Sequence, residues 1–310
     1  MRVGEKVDRP RFWLGVGAGV LCALIWGGQA VVMRLSVFEG LTPADVTVLR
    51  YLMAGALVLP WALRDRPFPV GQLGWRRGFA LAMLAGAPYS LVVVGGVAFA
   101  PALHSSVVTH AVIPVAATVL AYYAFGERPG LGQVGSLGLI LAGLAVFGWE
   151  SLSGAPARGY LLFVIAATMW AGFTTLSKLW RVDPMSTTAT LVVLSLASVP
   201  LWLTLFPIRL AHASLGTLAL QAGYMGGLVT FLSTYLYTRA IALVGSVRAA
   251  VIVTLVPVVT SLMSPVVLTE WPTLREVVGM AVVILGVVLS LRLKPEALTH
   301  LLPRAPARRP

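Results

Sequence analysis

Apolar stretches of about twenty residues recur along the whole chain and strongly limit how it can fold. They cover approximately residues 12–33, 43–63, 76–98, 101–123, 130–149, 159–180, 186–206, 214–238, 244–268 and 273–292. An α-helix needs about 20 apolar residues to cross a bilayer. Only 11% of the chain is charged, against about 25% in soluble domains. The sequence therefore predicts an all-α integral membrane protein with ten transmembrane helices and short connections.

The basic residues are distributed unequally between alternate loops. If successive stretches cross in opposite directions, eighteen Lys or Arg residues lie on one side and four on the other, and Arg50 is ambiguous within the second stretch. Cytoplasmic loops carry such an excess of basic residues. The bias predicts that both termini are cytoplasmic. It also accounts for the net charge of +12 without a nucleic-acid partner.

Two short segments reveal an internal repeat. ALIWGGQAVVMR at 23–34 and ATMWAGFTTLSK at 167–178 each contain a tryptophan followed eight residues later by a basic residue, at an offset of 144. Around the fourth and fifth stretches, the residues that recur at an offset of 143 are Pro114, Glu127 and Gly143, as Pro257, Glu270 and Gly286. Because five spans is an odd number, the second copy must be inverted in the membrane. Inverted repeats are typical of secondary transporters, whose substrate site lies between the repeats.

The Pro…Glu…Gly pattern of both halves, which includes GER at 126–128, resembles the ten-span drug/metabolite transporter superfamily. In particular it resembles the bacterial EamA-type exporters, over roughly residues 12–293. The resemblance implies two five-helix repeats, 12–149 and 150–293, around a central cavity. That cavity would be lined by the first, third, fourth, sixth, eighth and ninth helices. Residues 1–11 would form a cytoplasmic N terminus, and the Pro/Arg-rich residues 294–310 a disordered cytoplasmic tail.

Trp26 and Trp170 lie inside apolar stretches, away from the span ends where aromatic belts form. Each tryptophan either packs between helices or faces the cavity, where it would stack on substrate or form the cavity floor. Gln29 follows Trp26 by three residues and Thr174 follows Trp170 by four, so each shares a helix face with its tryptophan. These four residues are predicted substrate contacts, and Gln29 and Thr174 mark a point where the two halves differ.

Further polar candidates lie in the third, fourth and eighth stretches. Tyr89, Tyr224 and Tyr235 place aromatic hydroxyl groups inside the membrane, where they contact either substrate or a neighbouring helix. His104 begins the polar first half of the fourth stretch, as either a cap near the membrane surface or a cavity residue. His104 and His110 are six residues apart and do not share a helix face, so no metal site is predicted. The sequence also predicts no cofactor.

Pro114 and Pro257 lie within their spans in both copies. Proline cannot donate a backbone hydrogen bond to the residue four positions earlier, so the carbonyls of His110 and Val253 are left free. Each proline is therefore either a packing kink or a hinge for movement between the halves.

None of the eleven acidic residues lies in the middle of a stretch. A proton-driven antiporter usually keeps an embedded carboxylate, so the sequence predicts transport without stringent proton coupling, with His104 as the only exception considered. Lysine and arginine are also absent from the predicted midplane. This absence argues against phosphorylated substrates and favours a neutral or zwitterionic one with an apolar or aromatic side chain.

The function predicted from these features is export of small metabolites, amino acids including aromatic ones, across the bacterial inner membrane by alternating access. The predicted partners are the small-molecule substrate and the lipid bilayer, and the protein would be a monomer or a homodimer. A broad-specificity drug or dipeptide exporter is the alternative within the same class. An integral-membrane enzyme or a non-transporting scaffold would be a different class. Against an enzyme, the sequence contains neither G-x-S-x-G nor H-E-x-x-H.

Overall fold

The computed structural model describes residues 9–63, 73–149 and 155–292, and all regular secondary structure in these ranges is helical. The helices of the first half are α1 Arg9–Phe38, α2 Pro43–Ala62, α3 Trp75–Ala85 with Ala87–Val97, α4 Ala102–Phe125 and α5 Leu131–Gly148. Those of the second half are α6 Ala155–Trp180, α7 Pro184–Ala197 with Val199–Leu205, α8 Leu215–Gln221 with Ala222–Leu232 and Ser233–Val244, α9 Ser246–Val253 with Val256–Leu268, and α10 Leu274–Arg292.

The all-α membrane architecture is confirmed, whereas the predicted count of ten crossings is not. Within the described residues, eight helices are long and apolar enough to span a bilayer, or nine if the two segments of α7, bent by 41°, form one span. α2 is not among them, and it carries Asp45 and Arg50. The predicted N terminus up to residue 8 and the predicted tail at 294–310 lie outside the described residues, and residues 9–11 begin α1.

Side-chain caps fix where several helices begin, because the first backbone N–H groups of a helix lack partners within it. At the start of α8, Ser214 Oγ accepts a hydrogen bond from Thr217 N at 3.1 Å. At the start of α10, Thr273 N donates to Glu276 Oε2 at 2.6 Å, and Glu276 N donates to Thr273 Oγ1 at 3.3 Å. This reciprocal arrangement is a capping box, and it holds the Glu276 side chain at the end of the bundle.

The two halves contact each other in a repeated way. α1 packs on α8, and α6 packs on α3. A Cβ atom built on Gly15 of α1 would lie 2.7 Å from Val244 Cγ1, and one built on Gly159 of α6 would lie 2.8 Å from Ala100 Cβ. In the repeat, Gly159 is the equivalent of Gly15 and Val244 is the equivalent of Ala100. The α6–α3 contact therefore repeats the α1–α8 contact in the same register. In the α1–α8 contact the first helix belongs to the first half, and in the α6–α3 contact its equivalent belongs to the second half.

One turn further along, the α1–α8 and α6–α3 contacts use side chains of different size at equivalent positions. Gly19 of α1 faces Ala240 of α8, whereas Phe163 of α6 packs directly on Gly96 of α3. The repeat again relates these positions, since Phe163 corresponds to Gly19 and Ala240 corresponds to Gly96. A large residue in one copy is thus matched by a glycine on the opposing helix, which preserves close packing at both positions.

The last helices of the two halves, α5 and α10, also pack together symmetrically. A Cβ atom on Gly143 would lie 2.7 Å from Val283 N, and one on Gly286 would lie 2.9 Å from Ile140 N. The offset of 143 converts each of these contacts into the other. Such mutual contacts are those expected of two similar halves related by inversion in the membrane.

Candidate functional site

Among the described residues, two ion pairs between a Lys or Arg and a Glu join the halves, and they occupy equivalent positions in the repeat. Arg34 Nε of α1 lies 2.8 Å from Glu270 Oε1, which follows α9. Lys178 Nζ of α6 lies 3.1 Å from Glu127 Oε1, which follows α4. Arg34 corresponds to Lys178 at an offset of 144, and Glu127 corresponds to Glu270 at an offset of 143. Each basic residue therefore pairs with the repeated glutamate of the other half.

The two ion pairs lie at opposite ends of the helical bundle. Ala102 N, at the start of α4, donates to Glu270 Oε2 at 3.0 Å, whereas Glu127 lies just beyond the other end of α4. The 24 residues of α4 separate its ends by about 36 Å. We call these two ends the Glu270 face and the Glu127 face. α1 runs toward the Glu270 face and α6 toward the Glu127 face, as an inverted repeat requires.

A residue in the left-handed backbone conformation directly precedes each of the two glutamates, Glu127 and Glu270. Gly126, with φ of 69°, caps the C-terminal end of α4, and Thr269, with φ of 57°, caps that of α9. These two residues are equivalent in the repeat and directly precede Glu127 and Glu270. Glycine adopts this conformation at little cost, but a β-branched residue is strained there. The backbone turn is thus kept in the second half despite an unfavourable residue.

The two pairs differ in burial and in additional hydrogen bonds. The side chains of Arg34 and Glu270 are only 17% and 18% exposed, whereas those of Lys178 and Glu127 are 64% and 36% exposed. Arg34 Nη1 also donates to Val97 O at 2.5 Å. Water screens exposed pairs and weakens them. The halves are consequently held together more strongly at the Glu270 face than at the Glu127 face.

The two predicted tryptophans make equivalent contacts with different chemistry. Trp26 Nε1 donates to Ser233 Oγ at 2.7 Å, and the Trp26 ring lies 5.3 Å from the Tyr237 ring. The Trp170 ring lies 5.4 Å from the Tyr89 ring. Ser233 is the repeat equivalent of Tyr89, so both tryptophans contact the same position of the opposite half. One contact is a hydrogen bond and the other an aromatic contact.

Gln29 and Thr174 are not equivalent positions. An offset of 144 from Gln29 leads to Phe173, whose ring lies 5.4 Å from that of Trp170. Thr174 is exposed and donates to Ala171 O at 2.9 Å. Gln29 is partly exposed. The difference between the halves at this point is therefore glutamine against phenylalanine.

The two candidate tyrosines of α8 lie in different surroundings. Tyr224 OH donates to Ile25 O of α1 at 2.9 Å, which places its ring in the α1–α8 contact. Tyr235 is 54% exposed. Two residues along a helix correspond to a rotation of about 200°, so Tyr235 lies on the face of α8 opposite to Ser233 and Tyr237. Tyr224 thus joins the Trp26 contact, and Tyr235 does not.

His104 is a buried junction between four helices. Its Nε2 lies 2.6 Å from Glu276 Oε1 of α10, and its Nδ1 lies 3.0 Å from Tyr160 OH of α6. Its ring is 5.0 Å from that of Phe147 of α5. An ionised carboxylate only accepts hydrogen bonds, so we assign Nε2 as the donor to Glu276 and Nδ1 as the acceptor from Tyr160. Both ring nitrogens are therefore used within the protein.

The equivalent prolines have different local structures. α4 continues through Pro114, and Thr118 Oγ1 donates to the Pro114 carbonyl at 2.8 Å. α9 is interrupted at Thr254 and Leu255, and its second segment begins at Val256, directly before Pro257. The break is thus confined to the second half. Hinge roles for Pro114 and Pro257 stay predictions.

Several residues of the site were missed in the sequence. The partners of His104 were not found, although the T-L-R-E capping-box pattern at 273–276 indicates where Glu276 lies. Arg50 was ambiguous, and the structure buries it to 7% exposure near the middle of α2, where Nε donates to Thr230 Oγ1 at 2.8 Å. The expectation that the membrane midplane lacks lysine and arginine stays a prediction. Within the described ranges, no group of three or more His, Cys, Asp or Glu side chains could hold a metal ion.

Apolar helices in two inverted halves, joined by matched ion pairs at the two faces, define a membrane transporter built from a tandem repeat. The model of the EamA-like transporter family matches residues 13–149 and again residues 157–292. The chain belongs to this family. It is a multi-pass membrane protein, and its family function is transport of small molecules.

Two further similarities agree with this assignment. Over 133 residues the chain is 32% identical to a protein of Synechocystis sp. that is named an uncharacterized transporter. The match covers 43% of this chain and 38% of that relative. A protein of known crystal structure superposes with a TM-score of 0.60 over 89% of this chain and 96% of its own, at 19% sequence identity. That structural similarity shows the fold alone.

Proposed function

We propose that the protein exports small neutral or zwitterionic metabolites, amino acids including aromatic ones, by alternating access. The observation that carries alternating access is the matched pair of salt bridges, Arg34–Glu270 and Lys178–Glu127. Alternating access requires that contacts between the halves break at one face while they hold at the other. Each salt bridge joins the two halves at one face only, so each can close that face.

The orientation of the two faces follows from the charge bias of the loops. If both termini are cytoplasmic, the Glu270 face is the outer face and the Glu127 face is the cytoplasmic one. The better buried Arg34–Glu270 pair then favours a resting state that is closed to the outside and accepts substrate from the cytoplasm. Residues 12–149 and 150–293 would be the two moving halves. A bacterial inner membrane suits this arrangement.

The positions of the acids in the described helices support transport without stringent proton coupling. The acids found inside described helices include Asp45 and Glu276, in the first turns of α2 and α10. Asp45 accepts hydrogen bonds from Thr42 N at 2.8 Å and from Arg209 N at 3.0 Å. Both acids hold structure together at the helix ends, where they make caps and connections. Neither lies in the middle of its helix.

Transport by the purified full chain in liposomes tests the proposal. We expect flux of radiolabelled phenylalanine and leucine, little flux of cationic drugs, and activity without an imposed pH gradient. Trp26→Ala and Trp170→Ala should each lower phenylalanine flux, whereas Trp13→Ala, which changes a residue that is 66% exposed, should not. Flux of drugs or dipeptides in place of amino acids would support the broad-specificity exporter. Flux that vanishes without a pH gradient would contradict the absence of stringent coupling.

A further inference from the structure

Arg50 is a charged residue in an unusual place. It lies near the middle of the 20-residue helix α2 and is 7% exposed. An arginine remains protonated in proteins, and a buried charge is costly unless an opposite charge pairs with it. Such residues commonly mark the path of a substrate or an ion. The guanidinium of Arg50 therefore requires a specific reason for its position.

The guanidinium of Arg50 is only partly satisfied by the protein. Nε donates to Thr230 Oγ1 at 2.8 Å, but Nη1 is buried and has no hydrogen-bond partner. Thr230 is uncharged, and no salt bridge among the described residues includes Arg50. The other charged residue of α2, Asp45, accepts hydrogen bonds from the backbone N–H groups of Thr42 and Arg209. A buried positive charge with no acid beside it favours binding of an anion.

The surroundings of Arg50 suit a ligand that also has an apolar part. The Arg50 guanidinium lies over the Tyr51 ring, 5.7 Å from its centroid. α2 also packs on α3, whose Tyr89 ring contacts Trp170. One turn before Arg50, Thr47 Oγ1 donates to Ser90 Oγ at 3.0 Å, which ties this part of α2 to the helix that carries Tyr89. The helix that carries the charge thus packs on the helix that carries Tyr89, one of the residues that the sequence assigned to the substrate.

The partner helix of Arg50 is irregular at the same level. Thr230 belongs to Ala222–Leu232, where α8 is wound as a π-helix, and Thr230 Oγ1 also donates to Met225 O five residues earlier at 2.8 Å. α2 packs closely here, because a Cβ atom built on Gly226 would lie 2.7 Å from Arg50 O. π-helical turns inside α-helices are frequent at functional sites.

We propose that Arg50 binds the carboxylate of the transported amino acid and that the Tyr89–Trp170 pair receives its side chain. This inference rests on the proposed function, since it identifies the chemistry by which that site would recognise its substrate. A single guanidinium with a free Nη1 matches one carboxylate. A structural clamp between α2 and α8 would use only the bond to Thr230, and a neutral donor would serve that purpose without burying a charge.

Matched probes in proteoliposomes test the carboxylate contact. Phenylalanine, its amide and phenethylamine share the aromatic ring and the ammonium group, but only phenylalanine carries a carboxylate. For the unaltered protein we expect the amide and the amine to have a KM higher than that of phenylalanine by about ten- to a hundredfold, as for loss of a charge-assisted hydrogen bond. Arg50→Gln should raise the KM of phenylalanine to that of the amide and leave the KM of the amide nearly unchanged. Arg239→Gln, which removes an exposed charge from α8, should change neither value.

A second measurement covers the case in which Arg50→Gln does not fold. Hydrogen exchange of the unaltered protein should show that residues 43–62 are protected by phenylalanine and not by its amide. If phenylalanine and its amide were transported equally and protected residues 43–62 equally, the carboxylate site would be overturned. The proposal of amino-acid transport would still stand. Transport and binding of neither phenylalanine nor leucine would overturn the proposed function, and the carboxylate site with it. Acid selectivity that persists in folded Arg50→Gln would overturn the role of Arg50 alone.

Discussion

Removing the charge of one repeated glutamate should open one face of the protein, and the two faces should respond unequally. Glu270→Gln removes the carboxylate that Arg34 approaches at 2.8 Å and leaves a largely buried guanidinium without an acid. A hydrogen bond to a charged group contributes about 1.5–3 kcal/mol. We therefore expect closure of the Glu270 face to weaken by about 2–3 kcal/mol, or about 30- to 150-fold in the ratio of closed to open molecules.

The equivalent change at the other face is the matched control. Lys178 and Glu127 are 64% and 36% exposed, and exposed pairs contribute only about 0.2–1 kcal/mol. Glu127→Gln should accordingly shift its own equilibrium by no more than about fivefold. Charge alone predicts equal effects at equivalent positions. The difference comes from burial and from the additional bonds that Arg34 and Glu270 make to Val97 and Ala102.

Labelling of introduced cysteines by a membrane-impermeant maleimide measures this opening. Cys22, the only cysteine, would be replaced by alanine. Ser106→Cys reports on the Glu270 face, and Ala249→Cys, at the equivalent position of the second half, reports on the Glu127 face. Both native residues are buried. In the Glu270→Gln variant, labelling at 106 should accelerate strongly and labelling at 249 should fall.

The reasoning also predicts a rescue. The double variant Arg34→Glu with Glu270→Arg restores opposite charges, so it should slow labelling at 106 toward the original rate. Equal acceleration in Glu270→Gln and Glu127→Gln would show that burial does not set the strength of these contacts. No acceleration at 106 in Glu270→Gln would show that the pair does not close this face.

Substitutions at His104 and at Thr269, each with a control variant, test the contacts that stabilise the helical bundle. The measurement is thermal unfolding in detergent. His104→Ala removes one buried partner from Glu276 and one from Tyr160 and should cost about 2–5 kcal/mol. A loss no larger than that of Tyr160→Phe would contradict the junction role. Thr269→Gly removes a β-branched residue at φ of 57° and should stabilise the protein by about 0.5–1 kcal/mol. Gly126→Thr should do the reverse, and destabilisation by Thr269→Gly would show that the turn is not strained.

The predicted site could be located only in part from the sequence. Trp26 and Trp170 were identified because a tryptophan within an apolar stretch is unusual, and the structure gives both a partner in the opposite half. The exposure of Tyr235 and the position of Thr174 were not foreseeable, because both depend on which side of a helix faces a neighbour. An apolar stretch without polar periodicity does not show that side.

Arg50 shows the same limit more sharply. Its position in the second stretch left it either inside the membrane or near the surface, since helix boundaries are uncertain by several residues. The packing of α2 on the π-helical part of α8 shows that the Arg50 side chain is buried. The tertiary structure also shows that Arg50 Nη1 has no hydrogen-bond acceptor.

The sequence by itself determined the all-helical membrane class and the tandem repeat. Both are local properties, because the length of an apolar stretch and the offset between two copies can be counted along the chain. The tertiary structure alone decided that Arg34 pairs with Glu270, 236 residues away, and that Lys178 pairs with Glu127. It also decided that one pair is buried and the other exposed. The partner of each charged residue and the burial of each ion pair depend on which helices pack together. The two copies of the repeat therefore differ where their neighbouring helices differ.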